Sequence, residues 1–397
     1  MIYDFDTPLE RRSTHSAKWN WFPADVLPLW VADMDLPAPE PVVRAIQARA
    51  EHAIFGYQMD SPPLRQVIVE RFATRYRAAI SPDAILFVPG LVTALNMICR
   101  TFGAPGDSVL VQPPIYPPFL SAPVNGGRTV ALAPLARVAN SNLAQSSLVD
   151  GATLRYEIDF DAMEAAITPH TRLFILCNPH NPVGRVFTRA ELEQVAAFAL
   201  RHDLIVVSDE IHCDLVYPQH EHHTFCTIAP ELNDRLITLQ APSKTFNIAG
   251  LGCGFAVIPN AELRQQLMAA LFNNGLIVNN LGLTAAEAAY RDGGEWHDQL
   301  MRYLRDNRDF VDGYVREHFP HARIAPVEGT YLAWVDFSGY DLPQSAYQFF
   351  LERAKVGLND GATFGGESFA GCVRLNFGCP RATLSEALDR MRAALTG

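Results

Sequence analysis

The middle of the chain alternates short, wholly apolar runs with amphipathic stretches, and nothing else in the sequence restricts the fold as strongly. Residues 172–177 (RLFILC), 204–208 (LIVVS), 235–240 (RLITLQ) and 253–258 (CGFAVI) are short and apolar on both faces, as strands buried between two layers must be. Between the first two, Thr188 and Glu191 make a capping-box pattern, and AELEQVAAFALRH then carries apolar residues at helical spacing. Strand, helix, strand in this order predicts βαβ units and an α/β fold with a mostly parallel sheet.

Beyond about residue 295 the pattern changes to a long charged helix, an apolar strand (TYLAWVDF), a further helix, CVRLNF and a terminal amphipathic helix. That α+β layout predicts a second, smaller domain, and the charged helix 296–318 reads as a solvated face. The expected division is 1–45 as an N-terminal segment packing with the small domain, 46–290 as the large domain, and 291–397 as the small one. A chain of 397 residues is comfortable for two domains. The polar stretch 136–154 reads as an exposed excursion between strands.

Composition narrows the class. A net charge of −11 argues against a nucleic-acid surface. No run of eighteen apolar residues suggests a spanning helix, and the N-terminus is polar where a signal peptide is apolar, so a cytoplasmic protein is expected. Seven scattered cysteines without a CxxC pair fit reduced core thiols, not a disulfide framework or a zinc site. The run HEHH (220–223) places adjacent histidines in a polar turn, where they point apart; no metal site is expected.

In parallel α/β sheets ligands bind beyond the carboxyl ends of the strands. After RLFILC comes NPHNPVG; after LIVVS comes DEIH; after RLITLQ comes APSK; upstream, AILFV leads through Pro89 and Gly90 into a helix start suited to an anion. Asn181, Asp209, His212, Ser243 and Lys244 thus converge on one rim with that helix N-terminus. Lys244 is one of only three lysines, with Lys18 and Lys355, in a chain that otherwise uses arginine. An amine can form and exchange an imine where a guanidinium cannot, and pyridoxal 5'-phosphate needs this set: an amine for its aldehyde, a carboxylate for its ring nitrogen, an amide for its ring oxygen, a helix N-terminus for its phosphate. Tyr116, in PPIYPPF, supplies an aromatic ring to stack on it.

On these residues, together with PLWVADMD (28–35), FGY (55–57), NPHNPVGRVF (178–187), SDEIHCDL (208–215), PSKTFNIAGL (242–251), EGTYLAW (328–334) and VRLNFGCPR (373–381), the chain resembles the fold-type-I aminotransferase superfamily. Within it, DEIH, SKTFN and RLNFGCPR resemble the MalY/PatB branch of carbon–sulfur lyases. The resemblance implies a large domain with a mostly parallel sheet of the seven-stranded type, a smaller α+β domain, and pyridoxal phosphate as cofactor. Carried over by position, it makes Lys244 the Schiff-base lysine, Asp209 the partner of the ring nitrogen, and Asn181 the partner of the ring oxygen, with His212 near that edge. Tyr116 stacks on the ring; Gly90, Leu91 and Val92 supply backbone to the phosphate, and Ser243 a hydroxyl. Tyr57 reaches the phosphate of a neighbouring subunit, which implies a homodimer with shared sites. Arg374 takes the substrate carboxylate, with Tyr331 and the segment around Ala32 over the substrate. The aminotransferase pattern has an arginine eight residues after the lysine and a small hydroxyl residue or glycine three before it; here stand Gly252 and Ala241. Both departures suit the lyase branch. The expected activity is β-elimination from L-cystathionine or a similar cysteine S-conjugate, giving pyruvate, ammonia and a thiol. The alternatives are an aminotransferase of non-dicarboxylic amino acids, since no arginine falls between Arg264 and Arg291 for a second clamp, and a non-catalytic cofactor-binding protein.

Overall fold

The computed structural model of the chain describes residues 2–58, 60–138 and 154–397. The alternating apolar runs fold as expected into a seven-stranded sheet. Its strands are β1 (Ile85–Val88), β2 (Ser108–Val111), β3 (Thr129–Leu132), β4 (Thr171–Cys177), β5 (Ile205–Asp209), β6 (Leu236–Gln240) and β7 (Gly254–Val257), in spatial order β1-β7-β6-β5-β4-β2-β3. Only β7 runs against its neighbours. All five residues of β6 are buried, and helices cover both faces, which is why these strands tolerate no polar alternation. The register pairs Cys177 with Asp209 and Asp209 with Leu239, so the carboxyl ends of β4, β5 and β6 finish side by side.

Two helices matter for the site. One, α1 (Leu91–Thr101), starts at Gly90, whose φ of 102° is a conformation that side chains rarely adopt, so the chain turns sharply from β1 into the helix there. The other, α2 (Arg189–Arg201), opens with the capping box read from Thr188 and Glu191.

A second sheet is antiparallel throughout, in the order β8 (Arg323–Ile324), β9 (Leu332–Asp336), β11 (Cys372–Asn376), β10 (Asn359–Asp360). Against it lie α3 (Gly294–His318) and α4 (Arg381–Thr396). The reading of the charged helix as a solvated face is corrected here. It buries Trp296, Leu300, Leu304, Val311, Tyr314 and Val315 along one stripe, and only its outer face is wet. Charge content hid a strong helical period. Residues Phe5, Leu29, Ala32, Met34 and Leu36 share this core, so the N-terminal segment threads between the second sheet and the rest of the molecule.

Residues 136–138 pair antiparallel with 155–157, so the polar excursion leaves and rejoins a small ribbon; 139–153 lie outside the described residues. Among the described residues no helix is long and apolar enough to cross a membrane.

Candidate active site

The carboxyl ends of β4, β5 and β6 open into a cleft of about 240 Å³ whose lining includes Ala32, Gly90, Leu91, Val92, Tyr116, Asn181, Asp209, His212, Ser243 and Lys244. The structure therefore brings together ten of the thirteen residues singled out in the sequence.

The floor is a set of charges without ordinary partners. Asp209 ends β5 and is 4% exposed; its carboxylate accepts a hydrogen bond from the Ile211 N–H at 3.0 Å, and no described cation pairs with it. Burial pushes it up to about 7, with Glu210 adding to the rise and the Ile211 N–H and Lys244 opposing it. Lys244 follows β6 in a tight turn. Desolvation and the Arg374 guanidinium bring its amine down to about 8, against the pull of Asp33 and Asp209. A free amine is thus accessible near neutral pH. His212 is pushed down to about 3 by burial and the two nearby cations, so its imidazole is neutral; its Nδ1 has no hydrogen-bond partner. Tyr116 is held above its usual value chiefly by burial and keeps its phenol proton.

One wall comes from the second sheet. Arg374, on β11, is 2% exposed and no carboxylate pairs with it among the described residues. It donates instead to Asn181 Oδ1 at 2.9 Å, to the Trp30 carbonyl at 3.0 Å and to Asn359 Oδ1, lies over the Phe364 ring, and leaves Nε unpartnered. Burial without an anion lowers even this guanidinium to about 10. A buried arginine satisfied only by neutral acceptors keeps the capacity to bind a carboxylate.

The roof is the strap 30–34, an irregular segment that bends at Val31 and Ala32 and whose carbonyls are held by side chains from elsewhere in the chain. Trp30 O accepts from Arg374, Val31 O from Asn376 (2.7 Å), and Ala32 O from both Lys244 Nζ (2.7 Å) and Tyr331 Oη (2.9 Å). Asn247, in the turn that carries Lys244, donates to Met34 O and Leu36 O and accepts from the Met34 N–H. Its φ of 55° is one asparagine tolerates.

Three expected site residues fall outside the cleft lining. Tyr57 is 94% exposed. Tyr331 is fully buried behind the strap, its hydroxyl spent on Ala32 O and its ring edge-on to His212. Arg374 reaches the cleft through Asn181. Sequence reasoning missed Asn359, Asn376 and Asn247. Asn376 stands two residues after Arg374 and so on the same strand face, a readable signal. Asn359 meets Arg374 only across the β10–β11 register. The HEHH run is also explained: His222 bonds the buried carboxylate of Glu210 at 3.2 Å, which Ser208, Gln240 and the Phe225 N–H bind as well. Gly252 sits at φ 55°, close to Pro89 in the loop before α1, so the backbone itself disfavours an arginine there.

An uncompensated buried carboxylate, a desolvated amine and an open turn at a helix N-terminus make a donor set that fits pyridoxal phosphate; the orphaned His212 Nδ1 marks further unused polar capacity in the same cleft.

The family model of aminotransferase class I and II matches residues 24–391. Cystathionine β-lyase PatB of Bacillus subtilis is 39% identical over 403 residues, covering 99% of this chain and all of the relative. The crystal structure of OvoB is 40% identical with a TM-score of 0.91 and covers all of both chains. Cystalysin from Treponema denticola, solved with pyridoxal 5'-phosphate, is 30% identical with a TM-score of 0.92 over 100% of this chain and 99% of that one. The chain belongs to the class I and II aminotransferase family of pyridoxal-phosphate enzymes, in the branch that holds PatB.

Proposed function

We propose that the protein is a pyridoxal-phosphate-dependent carbon–sulfur β-lyase that cleaves L-cystathionine, or a related cysteine S-conjugate, to pyruvate, ammonia and a thiol. The observation that carries this reading is the cleft itself: an amine near 8, an unpaired buried carboxylate and a carboxylate-free buried arginine, in a chain 39% identical to a cystathionine β-lyase.

Pyridoxal phosphate, when bound, supplies an aldehyde for the substrate amine and a ring that takes up electrons from Cα. Lys244 would hold that aldehyde, and its amine, near 8, could take the proton from the substrate Cα. Asp209 would pair with the ring nitrogen and hold a proton there, and Asn181 and His212 would serve the ring oxygen. The α1 start at Gly90, Leu91 and Val92, with Ser243, would receive the phosphate. Arg374 orients the substrate carboxylate under Ala32. Tyr116 would lie against the ring and, because it keeps its proton, could hand it to the departing thiolate sulfur.

The same reading includes a cytoplasmic homodimer, and a large domain over 46–290 flanked by 1–45 and by a small domain over 291–397. Ile54, Phe55, Tyr57, Met268, Phe272 and Ile277 are large apolar side chains left exposed, and the last three line a groove of about 460 Å³. Exposed apolar surface of this kind suits a subunit interface, with Tyr57 entering the partner's phosphate site.

The deciding experiment is pyruvate release from L-cystathionine with no 2-oxo acid added. Pyruvate formed over many turnovers supports the lyase; a single stalled half-turnover, restarted by a 2-oxo acid, would show an aminotransferase instead.

A further inference from the structure

Lys18 is the one fully buried lysine, at 0% exposure, and the chemistry above does not use it. Its ammonium donates to Asp35 Oδ2 at 2.8 Å and to the Asp33 carbonyl at 3.1 Å. Asp35, itself 3% exposed, also accepts from Trp19 Nε1 at 2.7 Å and from Arg11. Arg11 spans the strap: one nitrogen bonds Asp35 and the Met34 carbonyl, the other Asp33 Oδ2 at 2.7 Å. The Lys18 carbonyl in turn accepts from Trp30 Nε1 at 3.1 Å. Two cations and two anions therefore interlock beneath residues 30–35, with no net charge. Burial by itself would raise the Asp35 carboxyl; Lys18, Trp19 and Arg11 outweigh it and hold it ionised.

This knot grips the strap at Asp33, Met34 and Asp35 and shares two carbonyls with the site's own network: Asp33 O accepts from both Lys18 and Asn376, and Met34 O from both Arg11 and Asn247. On the cleft side the same segment presents the carbonyls that bind Arg374, Asn376, Lys244 and Tyr331. We propose that Lys18, Asp35 and Arg11 are positioning residues: the knot fixes the height and register of the strap, and through the Trp30 and Ala32 carbonyls it sets where Arg374 and Lys244 meet the substrate. Neither Lys18 nor Asp35 lines the cleft, and among the described residues Asp209, Ser243 and the turn at Gly90 make no hydrogen bond to the strap, so the device acts chiefly on capture and orientation of the amino acid and less on retention of the cofactor. The proposal rests on Lys244 carrying the cofactor and is independent of what leaves from Cβ.

The test uses the cofactor-loaded enzyme with Lys18→Met, which keeps an unbranched side chain one atom shorter and removes the charge. Affinity for L-alanine, which has no leaving group, is read from the change it causes in the visible band of the cofactor. KM for L-cystathionine, cofactor affinity and the thermal midpoint are measured alongside. The expected result is a loss of L-alanine affinity and a rise in KM of roughly tenfold to a hundredfold, since small displacements of orienting groups are costly. Cofactor affinity should stay within about twofold, as for a site separate from the change. A lower thermal midpoint with L-alanine affinity and KM unchanged would overturn the proposal by making the knot purely structural. Cofactor affinity falling in parallel would overturn it by placing the knot in the cofactor cradle. If Lys18→Met does not fold, Trp19→Phe, which removes one neutral donor from Asp35, is judged on the same criteria with a smaller shift. Failure of the lyase reading leaves the L-alanine measurement intact; absence of the visible band in the unaltered protein would instead mark failure of the cofactor reading.

Discussion

The floor and the roof of the cleft are built on opposite principles. The floor residues Asn181, Asp209, Ser243 and Lys244 each stand at or just past the end of a strand of one sheet, so the parallel register of β4, β5 and β6 delivers them to one rim. The roof has almost no regular structure. The strap 30–34 is held through its backbone by Arg374, Asn376, Tyr331, Lys244 and Asn247, which approach from 212 to 345 residues away in sequence. The floor carries chemical character, in the form of unpaired charges in a low-dielectric setting. The roof carries geometry, in the form of hydrogen bonds to neutral acceptors. Altering the floor should therefore change the reaction, while altering the roof should change how well the substrate is held.

The sharpest way to break that comparison is Lys244→Ala. Loss of the amine should abolish the visible cofactor band and lower kcat by at least about 10³-fold, the scale of a lost acid–base group. Retention of both would refute the floor assignment outright. Asp209→Asn comes next: the protein should still bind cofactor, while kcat falls by roughly 10²-fold with KM little changed, because the ring nitrogen loses its anionic partner. For the roof and its wall, Arg374→Lys should mainly raise KM, by about 10- to 100-fold, since a bidentate charged contact is worth roughly 1.5–3 kcal/mol. An equal fall in kcat would mean that Arg374 acts in the chemistry. Tyr331→Phe should be mildest. It removes one of two donors on Ala32 O, and a single hydrogen bond of about 1 kcal/mol gives roughly a fivefold change in KM.

Proton balance offers a further sharpening. Since the folded pKa of Lys244 is depressed to about 8, the cofactor-free protein should capture pyridoxal phosphate faster as pH rises through 8, where the free amine replaces the ammonium. Asp209 is linked to stability instead. Its folded pKa is raised above the unfolded value, so the cofactor-free fold binds the extra proton between the two and loses stability as pH climbs toward about 7. Thermal midpoints of the cofactor-free protein across that window, compared with Asp209→Asn, would check the sign: the substitution should flatten the slope.

Much of the floor was readable in the sequence, because a strand buried on both faces declares itself locally and the residues just past its carboxyl end must lie on the rim. The helix starts at Thr188 and Gly90 were legible for the same local reason. The long helix α3 was misjudged because its charged residues outnumber the apolar stripe that Trp296, Leu300 and Leu304 bury. The strap network left almost no such trace. Hydrogen bonds from side chains to an irregular backbone have no period and no spacing, and Asn359 meets Arg374 only through strand register.

The sequence by itself determined the α/β sheet, the strand-end chemistry and the need for one amine at Lys244, since each follows from residues near one another in the chain. Tertiary structure alone decided that Arg374 faces no carboxylate among the described residues, that Tyr331 serves the strap, and that Lys18 is buried against Asp35. These depend on which distant groups share a water-free space, because only there does an unpaired charge, or a carbonyl without a strand partner, become costly enough to dictate its neighbours.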